Sequence, residues 1–279
     1  MTTSSQAWTE DVVQAAGAKV QIVKGGQGEP LLIFHDELGH PGWLRYHEAL
    51  AQRHTLFIPS HPGYGTSEHL DWIMNMRDLA GWYLEALDEL ELGQVSVIGF
   101  SFGGWLAAEM ASMCPQQFKK LVLVDAAGLG KGLAWYVRIA SLPLVGEVLQ
   151  NPSLRGTRAS LKNIFYNYSL IQESFLEEIH RTRKLPEAKQ AVLKMIRGAV
   201  GLRGVQKQWI MTEHLKNLDI PVLIVWGAQD KIVPVHHAYN AAREAPDVEL
   251  CIFDECGHWP QLEKANEFNK VVLDFLGGP

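Results

Sequence analysis

Short runs of branched apolar residues recur along the chain, and stretches with helical spacing separate them. From residue 30 onward these runs are apolar at nearly every position, as expected of parallel strands covered by helices on both faces. An antiparallel edge strand is expected at 11–15. The other strands are predicted at 19–25, 30–35, 55–60, 95–100, 120–126, 221–227 and 248–254. The pattern predicts an α/β fold with a mostly parallel eight-stranded sheet between two helical layers.

The alternation breaks between residues 127 and 219, where helical pieces punctuated by Gly and Pro replace the strand-like runs. About 90 residues between two neighbouring strands is far more than an ordinary crossover connection needs. We therefore predict a core domain formed by residues 1–126 and 220–279, and a helical cap formed by residues 127–219. The cap is either a surface insertion or a lid that forms one wall of a pocket.

Composition narrows the class of protein. A chain of 279 residues can form one large α/β domain with an insertion. A formal charge of −6 without a long basic run argues against a nucleic-acid partner. No apolar stretch approaches the roughly 20 residues that span a bilayer, and no secretory signal is visible, so no membrane partner is expected. Three cysteines make an odd number with neither metal-ligand spacing nor a disulfide framework, which favours a cytoplasmic location.

Residues 99–103 read Gly-Phe-Ser-Phe-Gly and stand between a predicted strand and a predicted helix. Glycine costs about 1 kcal/mol relative to alanine in a helix, so a local requirement of the backbone is expected here. A tight turn after the strand would strain Ser101 and leave no room for side chains two residues before and after it. Such a turn lifts the Ser101 hydroxyl off the sheet, which favours a catalytic nucleophile over a glycine-rich packing turn.

A serine nucleophile needs a base, and the base needs an acid that orients it. Asp230 follows the strand at 221–227, and His258 follows the last strand. Both should therefore lie at the same edge of the sheet as Ser101. We predict a triad of Ser101, Asp230 and His258. Asp125, which ends the strand at 120–126, is the alternative acid.

Two N–H groups should stabilise the oxyanion that forms when the serine attacks a carbonyl. Phe102 N–H, at the start of the following helix, is one predicted donor. The other should come from the loop after strand 30–35, and we predict Glu37 N–H, with Asp36 or Leu38 as alternatives. The Glu37 carboxylate would repel an oxyanion, so we expect that side chain to point away or to pair with a cation.

Together these residues resemble the α/β-hydrolase fold superfamily. The resemblance covers nearly the whole chain, in family order. Its motifs are LLIFHDELG, FIPSHPGYGTSE, VIGFSFGGW, VLIVWGAQDKIVP and CGHWPQLEKANEFNKVVLDFL. It implies a hydrolase with a Ser–Asp–His triad and no cofactor. One departure concerns the oxyanion loop, because the common His-Gly pair of the family is His35-Asp36 here.

Within that superfamily, the stretches GHWPQLEKANEFNKVVLDFL and NPSLRGTRASLKNIFYNYSLI are similar to meta-cleavage product hydrolases. That resemblance implies cleavage of a carbon–carbon bond in a vinylogous 1,5-diketone acid. Two positions differ from the family pattern. Phe100 stands where asparagine is usual before the serine, and the cap arginine that binds the substrate carboxylate aligns near Ile179, with Arg181 as an approximate replacement.

These departures lead us to expect hydrolysis of carboxylic esters through an acyl-enzyme. Carbon–carbon bond hydrolysis is the first alternative, and a non-catalytic ligand-binding protein of the same fold is the second. The expected partner is a small, largely apolar ester or ketone. No metal is predicted, because His35 and His40 lack a third ligand, and the oligomeric state stays open, with a homodimer as one option. The predicted pocket residues are Phe100, Phe102, Trp259, Trp135, Tyr136, Phe165, Tyr166 and Arg181.

Overall fold

The structure, a computed structural model, describes residues 8–245 and 247–278. Residues 1–7, 246 and 279, which the predicted core domain includes, lie outside the described residues. Eight strands form one sheet in the order β1-β2-β4-β3-β5-β6-β9-β10. Their bounds are β1 Trp8–Ala15, β2 Ala18–Gly26, β3 Glu29–Phe34, β4 His54–Pro59, β5 Val95–Phe100, β6 Phe118–Val124, β9 Val222–Gly227 and β10 Glu249–Phe253.

The sheet is parallel except at one edge, where β2 pairs antiparallel with both β1 and β4. The central strands end in register, since Phe34 lies opposite Gly99 and Phe100 lies opposite Val124. Val124 in turn lies opposite Val225. The loops that follow β3, β5, β6 and β9 therefore begin side by side at one edge of the sheet. The predicted α/β fold with a mostly parallel eight-stranded sheet is confirmed.

Helices cover both faces of this sheet. On one face, α1 (Arg45–Leu50) and α12 (Ala265–Gly277) pack against Ile98 and other residues of the strands. On the other face, α2 (Met76–Glu89), α3 (Phe102–Met113) and α10 (His236–Glu244) form a second core with Val97. Adjacent residues of β5 thus enter opposite cores, which explains why that strand is apolar throughout. No helix in the described part of the chain is long and apolar enough to cross a membrane.

The chain between β6 and β9 is mainly helical. One difference from the sequence prediction is a small antiparallel strand pair, β7 (Val200–Gly201) and β8 (Gly204–Val205). Two-residue strands leave no apolar run in the sequence, so periodicity could not reveal them. The helices of this segment are α4 Trp135–Ile139, α5 Val145–Leu149, α6 Leu154–Ile164, α7 Glu173–Arg183, α8 Pro186–Ala199 and α9 Thr212–Leu215. The short α11 (Pro260–Glu263) follows the last strand.

Candidate active site

Ser101 occupies a strained turn between β5 and α3. Its backbone angles are φ 48° and ψ −108°, a left-handed conformation that L-residues rarely adopt. A Cβ atom at Gly103 would lie 2.5 Å from the main-chain oxygens of Phe34 and His35, and one at Gly99 would overlap the Gly103 oxygen. The glycines are therefore required by the close approach of backbone segments. As the first residue of α3, Phe102 has an N–H without an acceptor inside the helix.

His258 and Asp230 form a buried hydrogen-bonded pair at the same edge of the sheet. His258 Nδ1 lies 2.7 Å from Asp230 Oδ2, and both side chains are buried. The other carboxylate oxygen, Oδ1, accepts from Ile232 N–H at 2.7 Å and Val233 N–H at 3.1 Å. These bonds fix the carboxylate. His258 Nε2 is buried and makes no hydrogen bond to any described residue, so it can serve as a proton acceptor.

The charge of Asp230 changes the basicity of the imidazole. Burial lowers the pKa of His258, but the negative charge of Asp230 and its hydrogen bond outweigh that effect. The pKa of His258 is raised above its ordinary value as a result. The imidazole is therefore a stronger base than a free histidine and is oriented through Nδ1.

Asp125, the alternative acid, lies beside this pair without bonding to the imidazole. Its Oδ1 accepts from Gly227 N–H at 3.0 Å, and its side chain is fully buried. Burial and the charge of Asp230 raise the pKa of Asp125 well above its usual range. Asp125, Asp230 and His258 lie within 4.8 Å of one another and are the candidate metal ligands among the described residues. Hydrogen bonds already occupy both oxygens of Asp230 and Nδ1 of His258.

The loop after β3 approaches the start of α3. Asp36 Oδ1 accepts from Leu38 N–H at 2.8 Å, and the main-chain oxygen of Asp36 accepts from Gly39 N–H at 3.2 Å. Leu38 N–H is thus engaged, whereas Glu37 N–H has no acceptor within residues 8–245 and 247–278. This geometry favours Glu37 over Leu38 as the second predicted oxyanion donor.

A cavity of about 350 Å³ opens above Ser101, between the edge of the sheet and the helices that follow β6. That volume falls in the range of small-molecule sites. Its walls are mostly apolar, with a few polar and charged groups. The core contributes Glu37, Leu38, His61, Tyr64, Phe102 and Trp105, and the segment after β6 contributes Trp135, Tyr136, Asn163, Arg183, Lys194 and Met195.

Comparison with known proteins agrees with this geometry. A family model of the alpha/beta hydrolase fold matches residues 29–265. The chain belongs to the α/β-hydrolase fold family. It is similar to a 2-hydroxy-6-oxo-6-phenylhexa-2,4-dienoate hydrolase of Burkholderia cepacia, with 26% identity over 92% of this chain and 91% of the relative.

Two solved structures share the fold. A meta-cleavage product hydrolase of Pseudomonas fluorescens has a TM-score of 0.80 and 22% identity, covering 96% of this chain and 97% of that one. A carboxylesterase of Bacillus subtilis also has a TM-score of 0.80, with 19% identity, covering 98% of this chain and 93% of that one. The relatives are named as hydrolases, and this chain is a hydrolase of the same fold.

Three predicted pocket residues of this α/β hydrolase line the cavity, namely Phe102, Trp135 and Tyr136. Phe100 does not. Alternation along β5 directs it with Ile98 into the opposite core, where its ring packs 5.6 Å from Tyr46 and 6.0 Å from Phe268. The prediction that Phe100 lines the pocket around the triad is wrong, because residues two apart on a strand share a face and Ile98 lies in the opposite core.

Trp259 and Phe165 are also predicted pocket residues that lie outside the cavity. Their rings contact each other edge to face at 5.4 Å, and Trp259 Nε1 donates to Asp36 Oδ2 at 2.6 Å. Tyr166 is largely exposed, and its N–H donates to Glu263 Oε2. These aromatic residues connect the segment after β6 to the core and do not line the cavity above Ser101.

The predicted cation is also misplaced. Arg181 lies on the exposed face of α7, in an ion pair with Glu178, and does not line the cavity. Arg183, two residues further, is half-buried and does line it. The sequence held a signal for this residue, because Arg183 lies one helical turn beyond Ile179 and therefore on the same face of α7.

The expectation that the Glu37 side chain points away from the oxyanion stays a prediction. Glu37 lines the cavity, and its charge acts on Arg183, Tyr64 and Tyr136. It forms no ion pair within 4.0 Å among the described residues. Arg183 is the nearby cation. Glu37 and Arg183 both line the cavity but do not form an ion pair with each other.

Proposed function

We propose that this hydrolase cleaves a carbon–carbon bond in a diketone acid of the meta-cleavage product type. The observation that carries the proposal is the position of Arg183 in the cavity above Ser101. The relatives named as diketone-acid hydrolases, such as the Burkholderia cepacia protein, support the same substrate class. Ester hydrolysis, the reaction expected from the sequence, becomes the second candidate.

Arg183 provides an anchor for an anionic substrate. Its Nη1 donates to Ser160 Oγ at 3.2 Å, and Nε is buried without a partner among the described residues. Burial lowers the pKa of Arg183, but a guanidinium remains charged near neutral pH. A partly buried charge is unfavourable unless an opposite charge pairs with it, and Glu37, whose charge acts on Arg183, forms no ion pair with it within 4.0 Å. A substrate carboxylate would supply that charge and could form two parallel hydrogen bonds.

Lys194, the other cation of the cavity, is already engaged. Its Nζ donates to the main-chain oxygen of Asp71 at 3.0 Å and to Asp71 Oδ1 at 3.2 Å. Arg183 has no carboxylate within 4.0 Å in the described part of the chain. Of these two cations, Arg183 is therefore the one available to a ligand.

The residues at the sheet edge suit attack on a ketone held by this anchor. His258 Nε2 removes a proton as Ser101 Oγ, or a water molecule, adds to the carbonyl carbon. Phe102 N–H and Glu37 N–H stabilise the oxyanion. The bond from the carbonyl carbon to its neighbour then breaks, the departing carbon takes up a proton, and water supplies the hydroxyl of the new acid.

The diketone acid must first change from its dienol form to a ketone, since only the ketone delocalises the electrons of the broken bond. That change needs polar groups near the serine. Phe100 offers none, because it packs in the opposite core. Asn163 lines the cavity and is the polar side chain that we assign to this step. His61 also lines it, but its two ring nitrogens already bond to Tyr83 Oη and to the His35 main-chain oxygen.

Ester hydrolysis stays as the second candidate because most of the cavity wall is apolar. Trp135, Tyr136 and Phe102 offer a surface for an uncharged acyl or alcohol group. The Glu37 carboxylate in the same cavity would also repel an acidic substrate that Arg183 did not bind closely. An ester needs no conversion before attack, so the same triad would suffice.

The decisive comparison is of kcat/KM for a phenyl-substituted diketone acid and for nitrophenyl esters of increasing acyl length. We expect the acid to be turned over at least about tenfold more efficiently than the best neutral ester, a difference of about 1.4 kcal/mol in transition-state stabilisation. Loss of the dienolate absorbance measures the first reaction, and nitrophenolate release measures the second. Better turnover of a neutral ester would establish the second candidate instead.

A further inference from the structure

A buried carboxylate connects the two loops that carry the predicted oxyanion donor and the predicted base. Asp36 Oδ1 accepts from Leu38 N–H at 2.8 Å within its own loop. Its Oδ2 accepts from the indole Nε1–H of Trp259 at 2.6 Å, across 223 positions of sequence. Asp36 is 5% exposed and Trp259 is 3% exposed, so water does not compete for these bonds.

Each end of this Asp36–Trp259 bridge adjoins a group of the active site. Glu37, whose N–H is the second predicted oxyanion donor, stands between Asp36 and Leu38, the residue whose N–H donates to the Asp36 side chain. His258 directly precedes Trp259, and its own N–H donates to the Ile164 main-chain oxygen at 2.7 Å. We infer that Asp36 is a positioning residue, which sets the distance between the oxyanion donor at Glu37 and the imidazole of His258.

The packing of Trp259 supports this inference. Its ring contacts Phe165 at 5.4 Å and Phe175 at 5.9 Å, both from the segment after β6. The indole thus has little freedom to move, and its N–H points at Asp36. A carboxylate held by two N–H donors is restrained in position as well as in orientation.

The Asp36–Trp259 bridge carries an energetic cost. Burial, together with the charge of Glu37, raises the pKa of Asp36 to about 7. A buried carboxylate stabilises the fold less than an apolar side chain of similar size would, unless its hydrogen bonds compensate for the loss of water. Asp36 does not line the cavity above Ser101, and it forms no ion pair among the residues that the structure describes. The contacts of Asp36 are therefore those of a residue that positions the two loops.

The inference applies to either candidate reaction, because both pass through an oxyanion. The first measurement is the rate at which a fluorophosphonate probe labels Ser101. This rate depends on the nucleophile and the oxyanion donors and requires no natural substrate. Turnover of whichever substrate proves active is the second measurement. Failure of the carbon–carbon proposal would leave the labelling result intact.

Trp259→Phe removes the indole donor and keeps most of the ring packing. Trp82→Phe is the matched control, because Trp82 is equally buried and its Nε1 donates to the Ala16 main-chain oxygen at 3.2 Å, in a different part of the fold. We expect Trp259→Phe to slow labelling and to lower kcat at least tenfold, with KM changed less than twofold. Trp82→Phe should lower the melting temperature by a similar amount and leave both rates unchanged.

Asp36→Asn provides an independent route, since the amide still accepts from Leu38 N–H but turns a donor toward the indole. Its losses should match those of Trp259→Phe, and the double variant should lose no more than the worse single variant. Rates are normalised to the folded fraction, and Asp36→Asn alone decides the matter if Trp259→Phe does not fold. The inference would be overturned if the losses of the two single variants multiplied in the double variant, or if the variants changed KM alone. Labelling and turnover rates equal to those of Trp82→Phe would overturn it as well.

Discussion

His258 Nδ1 lies 2.7 Å from Asp230 Oδ2, while Asp125 lies close to both groups and bonds to neither ring nitrogen. The imidazole is therefore oriented by Asp230. Two main-chain N–H groups hold the other oxygen of that carboxylate, so its position does not depend on His258.

Replacing the two aspartates separately should distinguish their roles. Asp230→Asn should reduce kcat at least about 10³-fold, because an amide neither selects the right tautomer nor stabilises the imidazolium. Asp125→Asn should cost less than about tenfold, since Asp125 makes no hydrogen bond to the imidazole, and burial and the charge of Asp230 raise its pKa well above the usual range. Steady-state kinetics on both purified variants, with melting curves as a control for folding, provides the measurement. An inactive Asp125→Asn beside an active Asp230→Asn would reverse the assignment.

The pH dependence of kcat/KM should report the titration of His258. The base must be neutral to accept a proton, so activity should fall as the pH drops through the pKa of the folded protein. Because Asp230 raises that pKa, the acid limb should be centred above pH 6.5. In Asp230→Asn the residual activity should show a limb at lower pH. A profile that is flat from pH 5 to 9, with chemistry rate-limiting, would contradict the role of His258.

Ser101→Ala and His258→Ala should each lose at least about 10³-fold in kcat. The double variant should lose little more than either single one, because nucleophile and base act as one unit. Initial rates measured with the same substrate for all three variants test this. Losses that multiply in the double variant would show that the two residues act independently.

Much of this site follows from local sequence, because its main parts occupy places that backbone geometry dictates. Ser101 is identified by the glycines that the turn requires, and Asp230 and His258 by the strands that they follow. The carboxyl ends of parallel strands lie at one edge of the sheet, whatever the length and conformation of the loops. Those features could be predicted without knowledge of the tertiary packing.

The pocket residues follow less well, since they depend on which face of an element meets the cavity. Phe100 could have been excluded from the alternation of β5, which places it with Ile98. Arg183 could have been preferred to Arg181 from its spacing to Ile179 on α7. Trp259 could not have been assigned, because its partner Asp36 is 223 positions away and no local pattern connects them.

Asp36 should also make the folding stability depend on pH. Its pKa is raised from 3.8 to about 7 in the folded protein, so the folded state binds more protons than the unfolded one between those values. The contribution of Asp36 to stability therefore falls as the pH rises through that window, by at most about 1.4 kcal/mol per pH unit. Denaturant unfolding from pH 4 to 8 should show that the free energy of unfolding of Asp36→Asn rises relative to that of the wild type as the pH rises. If the free energies of unfolding of the two proteins change with pH in the same way, Asp36 does not have a raised pKa in the folded protein.

Binding of the diketone acid by Arg183 can be tested by measuring KM for that acid in two variants of one helix. Arg183→Gln removes the cavity cation, whereas Arg181→Gln removes an exposed charge that pairs with Glu178. We predict that Arg183→Gln raises KM for the acid at least about tenfold while neutral nitrophenyl esters are unaffected, and that Arg181→Gln changes neither. An unchanged KM for the acid in Arg183→Gln, or an equal rise of KM for the neutral esters, would show that Arg183 does not bind the substrate carboxylate.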